Sequence, residues 1–563
     1  MYIKDYRASV ENLDAKVFRF DSKYYYLDPS HKDSIFNTSN IAKKLKGVDV
    51  QEWQSFNSIA KGLKDSDTIT AKDLAEELDV STVAAIAMLI KSGWEFLEDE
   101  EAFCKPEEEG ISYTGEEAHL YDTREHIITT CILGEPISET FVKSLRTYCK
   151  EKGAMLHIFF KLRYVKDSDD IFMAKIKLES ILEGCDFKFY FKEDLLINED
   201  LLEVKASANV HHTAIKPLSG VLALASTKYL VIPHARQELE VTVSKNWNTS
   251  SLVMSTGCIN DLGKGHTQAL AKAKFHGVRG ALILDPKKTN GYGLTHINFD
   301  GQGFYHFKEW FAPNEYRDGN SIHSLYVADM HCSLSDPYYI SKLADNVSWL
   351  KPLQVISGDV FDGQSINHHE QARTGFFAHR MTLTEEIKIT TEVVRRLMGD
   401  SGAEFVCLPS NHHNFFGKFF SNPVNFKGMT KHDLATAYRA LAYIVENTNH
   451  VAEGISYANP TSFLLNDLFT KSNFDVFTQP RYGFDDLALG FHGDEWGMRQ
   501  SLGNQSNMKA VLGHVHRMKI SKGIFWVSSC MLPNPCYQNG MNASAQGSAI
   551  VYNNGKRMML ANI

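Results

Sequence analysis

Five short segments rich in aspartate, histidine and asparagine constrain this chain more than anything else in it. In order they are Asp329-Met330-His331, Gly358-Asp359-Val360-Phe361-Asp362-Gly363, Ser410-Asn411-His412-His413, His492-Gly493-Asp494 and Gly513-His514-Val515-His516. Each closes an apolar run that reads as a strand, beginning at Leu325, Leu353, Phe405, Leu487 and Lys509. A helix is predicted between the second and third, with Thr382 and Glu385 forming a capping box ahead of Ile389, Val393 and Leu397. Another is predicted between the third and fourth, with Leu434, Tyr438, Leu441 and Val445 on one face. Strands and helices in alternation define an α/β class, and sites in such sheets lie at the carboxyl ends of the strands.

The residue types suit one chemistry. In strand-like backbone, residues two apart face the same side, so Asp329 and His331 are expected to converge on one ion, as are His514 and His516. A carboxylate can bridge two cations, while His and Asn add neutral ligands that leave the pair net positive. Two ions roughly 3.5–4 Å apart activate a water and clamp the oxygens of a phosphoryl group. Any one segment alone is a common chance pattern, and an isolated His after a strand is more often structural. Five in series, all at strand ends, are hard to assign to accident.

A chain of 563 residues needs two to four domains. Residues 1–120 read as a helical region ending in the acidic stretch Glu98–Glu109, a solvated linker or loop. Within it, Thr68–Gly93 has helix-turn-helix character: Leu74, Ala75 and Leu78 form a face, Val80 fills the turn, and Ser81 or Thr82 can cap a second helix. That second helix carries one lysine and no Arg, Asn or Gln to read a base edge, so a plain helical scaffold is the preferred reading over DNA binding. Residues 121–320 read as a smaller α/β domain. Strands are expected at Ile127–Leu133, Met155–Phe160, Gly220–Ala225, Tyr229–Ile232, Ser251–Ser255 and Gly280–Leu284, with a helix over Glu139–Glu151 that stops at Gly153. The glycine-rich Leu262–His266 lacks the spacing of a nucleotide loop and reads as a turn before a helix at Thr267–Phe275.

Nothing in the chain offers the roughly 20 consecutive apolar residues of a membrane helix, and the charged start lacks a secretory h-region. The nine cysteines are scattered without a CxxC pair, so reduced thiols and a cytoplasmic location are expected. A net charge of −9 argues against broad adhesion to nucleic acid, leaving local patches to supply any such attraction.

At its five segments the chain resembles the calcineurin-like metallophosphoesterase superfamily, over residues 321–563. The resemblance implies a double-layered β-sandwich flanked by helices with two divalent metal ions at one end. It implies Asp329, His331 and His516 on one metal, Asp359 bridging, and Asn411, His492 and His514 on the other. It also implies His412 as general acid or transition-state donor, and Asp362 as a carboxylate that orients a ligand. Two departures stand out: Ser410 replaces the usual glycine of the third segment, and His413 replaces the acid that follows the catalytic histidine.

The appended N-terminal regions resemble those of the SbcD-like nuclease branch. Lys216-Pro217-Leu218-Ser219-Gly220, Ser255-Thr256-Gly257-Cys258 and Ser365-Ile366-Asn367-His368-His369 are similar to segments of a group of phage-encoded proteins that degrade host DNA. That likeness implies a manganese-dependent DNase with DNA as partner, assembled as a homo-oligomer and working in the host cytoplasm. A phosphatase or cyclic-nucleotide phosphodiesterase is the alternative. Arg380, Arg395, Arg396, Lys418, Lys427 and Lys431 lie near the third segment, with Phe415, Phe416, Phe419 and Phe420 interleaved. These could form a track for a nucleic-acid backbone, although phenylalanines at that spacing read first as the core face of a helix. His368 and His369 read as a loop pair.

Overall fold

The computed structural model describes residues 16–20, 23–28, 31–36, 68–69, 71–78, 85, 89, 95–97, 102–104, 117–161, 168–208, 210–243, 250–262, 277–288, 292–319, 321–327, 329–367, 381–408, 410–413, 415–420, 429–452, 463–464, 474–476, 483–484, 486–494, 509–521, 523–531 and 545–562. The chain divides into two units, one of residues 1–114 with 164–177 and one of 115–163 with 178–563.

Among its described residues, the first unit has strands where its sequence predicts a helical region. Lys16–Phe20, Lys23–Asp28 and His31–Phe36 form an antiparallel meander. The run Tyr24-Tyr25-Tyr26 supplies the aromatic β-propensity that a search for helical spacing passes over. The helix Ala71–Leu78 buries Leu74, Ala75 and Leu78 as expected. Part of the acidic stretch read as a linker is a hairpin instead, Glu95–Leu97 with Ala102–Cys104, and the latter strand pairs back onto Thr68–Ile69. Of the second helix, Ala85 and Leu89 are buried, and the remainder lies outside the described residues.

The second unit is mixed α/β. A six-stranded sheet runs Phe474–Val476, Glu404–Cys407, Gln354–Ser357, Ile322–Tyr326, Gln546–Tyr552 and Arg557–Asn562. Its first four strands are parallel, Gln546–Tyr552 runs antiparallel to them, and Arg557–Asn562 is antiparallel to Gln546–Tyr552. An eleven-stranded sheet runs from Gly483–Phe484 through Lys509–Leu512 and Lys519–Ser521 to Leu239–Val243, and on to Glu117–Leu120. It therefore crosses the boundary expected near residue 321. The seam is the pairing of Leu239 with Ile520 and Glu240 with Lys519, reinforced by a Lys519 Nζ–Glu240 Oε1 contact of 2.7 Å. A five-stranded sheet around His126–Ile132 packs on the same core. Ile128, Phe159 and Leu282 of that sheet, Tyr229, Leu252 and Val511 of the long sheet, and Tyr326, Ile356 and Val406 of the six-stranded sheet form one buried cluster. Burying such apolar surface stabilises at roughly 25 cal/mol per Å². No helix among the described residues is long and apolar enough to cross a membrane, and the seven described cysteine side chains are free thiols.

Most expected elements of residues 121–320 are present. The helix Glu139–Lys152 buries Phe141, Leu145 and Tyr148 and ends at Gly153, whose φ of 63° suits a left-handed cap. One expectation fails: Gly220–Ala225 is a turn and a short 3-10 helix at Leu222–Leu224, not a strand. The segment's own amides bond locally: those of Val221, Leu224 and Ala225 donate to the carbonyls of Leu218, Val221 and Leu222, a turn pattern and not a ladder. Side chains hold the loop ahead of it: Lys161 Nζ donates to the Val210 carbonyl, His234 Nε2 to that of His211 and Arg236 Nη1 to that of Ile215, at 3.3, 3.1 and 3.0 Å. Glu238 accepts from the Leu218 amide. The predicted helix at Thr267–Phe275 lies outside the described residues.

Glu238 yields a pH prediction. Burial, aided by Glu240, raises its carboxyl from 4.5 to about 7. A raised acid stabilises the fold most below its unfolded pKa, and that contribution is lost as pH climbs from about 4.5 through about 7. At pH 8 the cost approaches about 3 kcal/mol. Glu238→Gln is expected to flatten the fall in thermal midpoint between pH 5 and 8; an unchanged slope would exclude Glu238 as its source.

Helix faces around the site differ in detail from the predicted ones. The Thr382–Glu385 capping box is present, but Leu383, Ile387, Val394 and Leu397 are the buried apolar residues of the helix Leu383–Met398, with Ile389 and Val393 half-buried. In the helix Lys431–Ala452 the expected stripe faces outward: Tyr438 is 60% and Val445 64% exposed. Ala437 and Ala440 take the buried side, packed in one cluster with Phe361, Phe416, Phe419 and Ile387. Small residues allow that close approach where Leu or Tyr would hold the helix away.

Candidate metal centre

The five segments meet at one end of the six-stranded and eleven-stranded sheets, in the loops that leave the strands. Their backbone is not the strand continuation assumed from sequence. Asp329, His331, Asp359, His514 and His516 all have positive φ, at 42°, 40°, 39°, 67° and 50°. Non-glycine residues rarely adopt this conformation, which costs of order 1–3 kcal/mol each and persists only where surrounding structure enforces it. The enforcing contacts are visible: the His331 amide donates to the Asp359 carbonyl at 2.7 Å, and the Cys530 amide to that of Asp329 at 3.0 Å. Gly358 is required here, because a Cβ would stand 2.3 Å from His492 Nδ1.

Two triads of ligand atoms, each within 4.8 Å of one another, could hold metal ions, and they share Asp359. One is His331, Asp359 and His412; the other is Asp359, His492 and His514. Asp329 lies beside both, with Oδ2 3.3 Å from His516 Nε2 and Oδ1 3.5 Å from His492 Nδ1. His331 Nε2 faces His516 Nε2 at 3.2 Å. Asn411 contributes a buried Oδ1. Six of the seven residues expected as ligands, all but Asn411, are thus within reach of one another, and His412 joins the first group.

The site fits divalent cations on its own chemistry. Both oxygens of Asp329, Asp359 Oδ1, Asn411 Oδ1 and both ring nitrogens of His492 are buried without a hydrogen-bond partner. His492 Nε2 stands 3.0 Å from Asp359 Oδ2, but without the alignment of a hydrogen bond. Buried polar atoms in such number are otherwise costly. Burial opposes charge on His492, yet Asp359 and Asp329 override it and raise the ring to about 10. Burial likewise opposes ionisation of Asp359, while His492 and His412 hold it well below the usual carboxylate range. The pocket demands positive charge. Burial lowers His514 and brings His516 down to about 4, so both rings are neutral, the form that binds a metal.

Asp362 Oδ1 lies 2.6 Å from His331 Nδ1. That contact places the proton on Nδ1 and leaves Nε2 as the ligand atom, the arrangement that orients metal-binding histidines. His412 Nδ1 meets the Asp362 carbonyl at 2.6 Å. A carbonyl can only accept, so Nδ1 carries the hydrogen and Nε2 is left for other chemistry. His413, in the place of the usual acid, is buried, and burial holds it near 3, hence neutral.

One residue, Glu386, was missed in the sequence, and Asp494, quoted there only within the fourth segment, has a buried Oδ1 without a partner. Glu386, fully buried and raised by burial and then by Asp362 to about 7, accepts from the loop that follows Asp362. Its helix position gave no signal, since an acid in a first turn ordinarily reads as a charge on the solvent side. Of the basic and aromatic track, Phe415, Phe416 and Phe419 are core residues. Arg395, Arg396 and Lys431 are exposed. Arg380, Lys427, His368, His369 and the Lys418 side chain lie outside the described residues.

Comparison with known proteins adds little. No family model matches the chain, and no curated protein does. Among solved structures, a chitobiase of Flavobacterium johnsoniae aligns at 12% identity with a TM-score of 0.17, covering 69% of this chain. The chain spans 55% of that enzyme's length. A likeness at that score transfers neither fold nor chemistry.

Proposed function

We propose that this protein is a metal-dependent DNase that hydrolyses phosphodiester bonds at a two-metal centre, and that the ions are manganese. The observation that carries the hydrolytic reading is the pair of ligand triads sharing Asp359, lined by buried oxygen and nitrogen atoms that lack other partners. Asp329, His331 and His516 would hold one ion, Asn411, His492 and His514 the other, with Asp359 between them. Divalent ions there supply Lewis acidity toward water and phosphoryl oxygen, and charge that offsets the transition state. The chain's own groups do the rest. Asp362 fixes the tautomer of His331. His412, with Nδ1–H committed to the Asp362 carbonyl, presents Nε2, which in the imidazolium form would give its proton to the leaving oxygen and leave the ring neutral.

Manganese suits a donor set of Asp, His and Asn without Cys, since carboxylate and imidazole favour hard to borderline ions. DNA as the substrate rests on the resemblance to the nuclease branch, on the regions preceding the site, and on the three segments shared with phage-encoded proteins that degrade host DNA. A homo-oligomer acting in the cytoplasm belongs to the same reading.

The test is incubation with linear and covalently closed duplex DNA in manganese, in magnesium and in chelator. Degradation in manganese that chelator stops supports the DNase, and loss of the closed circle adds endonuclease action. Intact DNA throughout, with a small phosphodiester or phosphomonoester cleaved instead, replaces it with the phosphatase or cyclic-nucleotide phosphodiesterase reading.

A further inference from the structure

His412 lacks the support that its family pattern predicts. The residue after it is His413, and the Asp362 carboxylate is engaged elsewhere, 2.6 Å from His331 Nδ1 but 3.8 Å from His412 Nδ1. What holds the His412 ring is a backbone carbonyl, that of Asp362. A carbonyl can orient a ring only as well as its own peptide is held, and this one opens a turn with Gly363 at φ 77° and an Ile366 amide bonded to the Gly363 carbonyl.

The turn is anchored from outside. Glu386, 0% exposed, accepts the Gln364 amide on Oε1 and the Ser365 amide on Oε2, each at 2.9 Å. The helix that carries it is fixed at its start by the Thr382–Glu385 capping box. It is fixed again by Asp433, whose Oδ1 accepts from the Thr384 amide and hydroxyl at 3.0 and 2.8 Å. A rigid helix thus grips two successive amides just beyond Gly363, the residue that follows Asp362.

The geometry points to Glu386 as a positioning residue for phosphoester hydrolysis: by clamping the Gln364 and Ser365 amides it sets the Asp362 carbonyl that orients His412. Glu386 touches no reacting atom and acts only through that peptide. It takes over from the helix side the support that an acid after His412 would give. This inference rests on the phosphoesterase reading, but part of its test does not.

Glu386→Gln keeps the size of the side chain but turns one acceptor into a donor facing an amide. Loss of such outer support typically costs about 10–100-fold. In manganese, kcat on the cleaved phosphodiester is expected to fall by about that factor with KM changed less than about twofold. In a His412→Ala background the same change is expected to cost less than about twofold, since groups acting as one unit are not additive. An unchanged kcat, or an equal fall on top of His412→Ala, overturns the proposal. Nitrogen-15 NMR of histidine-labelled, metal-free protein gives a readout without catalysis: a hydrogen-bonded Nδ1–H of His412 in the wild type and its loss in Glu386→Gln. Persistence of that signal in the variant overturns the proposal even if the wild type cleaves no phosphoester, a result that would separately sink the hydrolase reading. Should Glu386→Gln not fold, Glu386→Asp, with a carboxylate on a shorter arm, goes through the same cycle under the same criteria.

Discussion

Replacing Asp359 by alanine is expected to abolish metal-dependent hydrolysis, lowering kcat/KM by roughly 10³-fold or more. The size follows from the arrangement. Asp359 is the member common to both candidate triads, is 1% exposed, and faces His331, His412, His492 and His514. Removing it deprives both ions of a ligand and leaves a site of mostly neutral rings. A charge clamp at a phosphoryl centre contributes several kcal/mol, and each 1.36 kcal/mol is about tenfold in rate. The assay is phosphodiester cleavage under saturating manganese, with circular dichroism to establish that the variant is folded. An Asp359→Ala protein as active as the wild type would rule out two-metal catalysis here, whatever the substrate.

The second large effect needs no substrate. In metal-free protein both oxygens of Asp329 and Oδ1 of Asp359 are buried without hydrogen bonds, and the rings of His331 and His516 face each other nitrogen to nitrogen. Ions that bind the native state and not the unfolded chain stabilise it by mass action, about 2.7 kcal/mol for each site at a hundredfold excess over Kd. Adding manganese to chelator-treated protein is therefore expected to raise the thermal midpoint by several degrees, at roughly 2–4 °C per kcal/mol for a domain of 150–250 residues. Asp329→Ala is expected to lose most of that gain. Burial opposes charge on the His331 and His492 rings, but the facing carboxylates raise both, so protons compete with metal there and the gain should shrink as pH falls from 8 to 6. A midpoint indifferent to manganese would mean that the cluster holds no ion.

The site was more legible in the sequence than the scaffold around it. Ligand types clustered behind apolar runs survive any uncertainty about where a strand stops. Asp329, His331 and Asp359 are found together even though the reason given for their convergence, strand alternation, is replaced by left-handed backbone. The Gly358 requirement depends on how closely His492 approaches across 134 positions of sequence, and no local pattern carries that. Helix existence was readable from Thr382 and Glu385, but helix rotation was not. Whether Ala440 or Tyr438 faces inward depends on the Phe416 and Phe419 rings opposite. Gly220–Ala225 has the composition of a strand, but its amides bond within a turn, and the loop ahead of it is held by Lys161, His234 and Arg236. Glu386 escaped notice for the same reason, because its two partners come from a turn some twenty residues earlier.

The long sheet has a consequence for when the centre can exist during synthesis. Asp329 sits behind the strand Ile322–Tyr326, whose antiparallel neighbour is Gln546–Tyr552. The Asp329 carbonyl receives the amide of Cys530, and the strand carrying Leu239 waits for Ile520. Contacts so far apart form slowly, since a long loop must close before they stabilise anything. A ribosome that has passed His331, Asp359 and His412 has made most of the ligands and still has no site. The candidate centre lacks its framework until Tyr552 has emerged and its strand has paired.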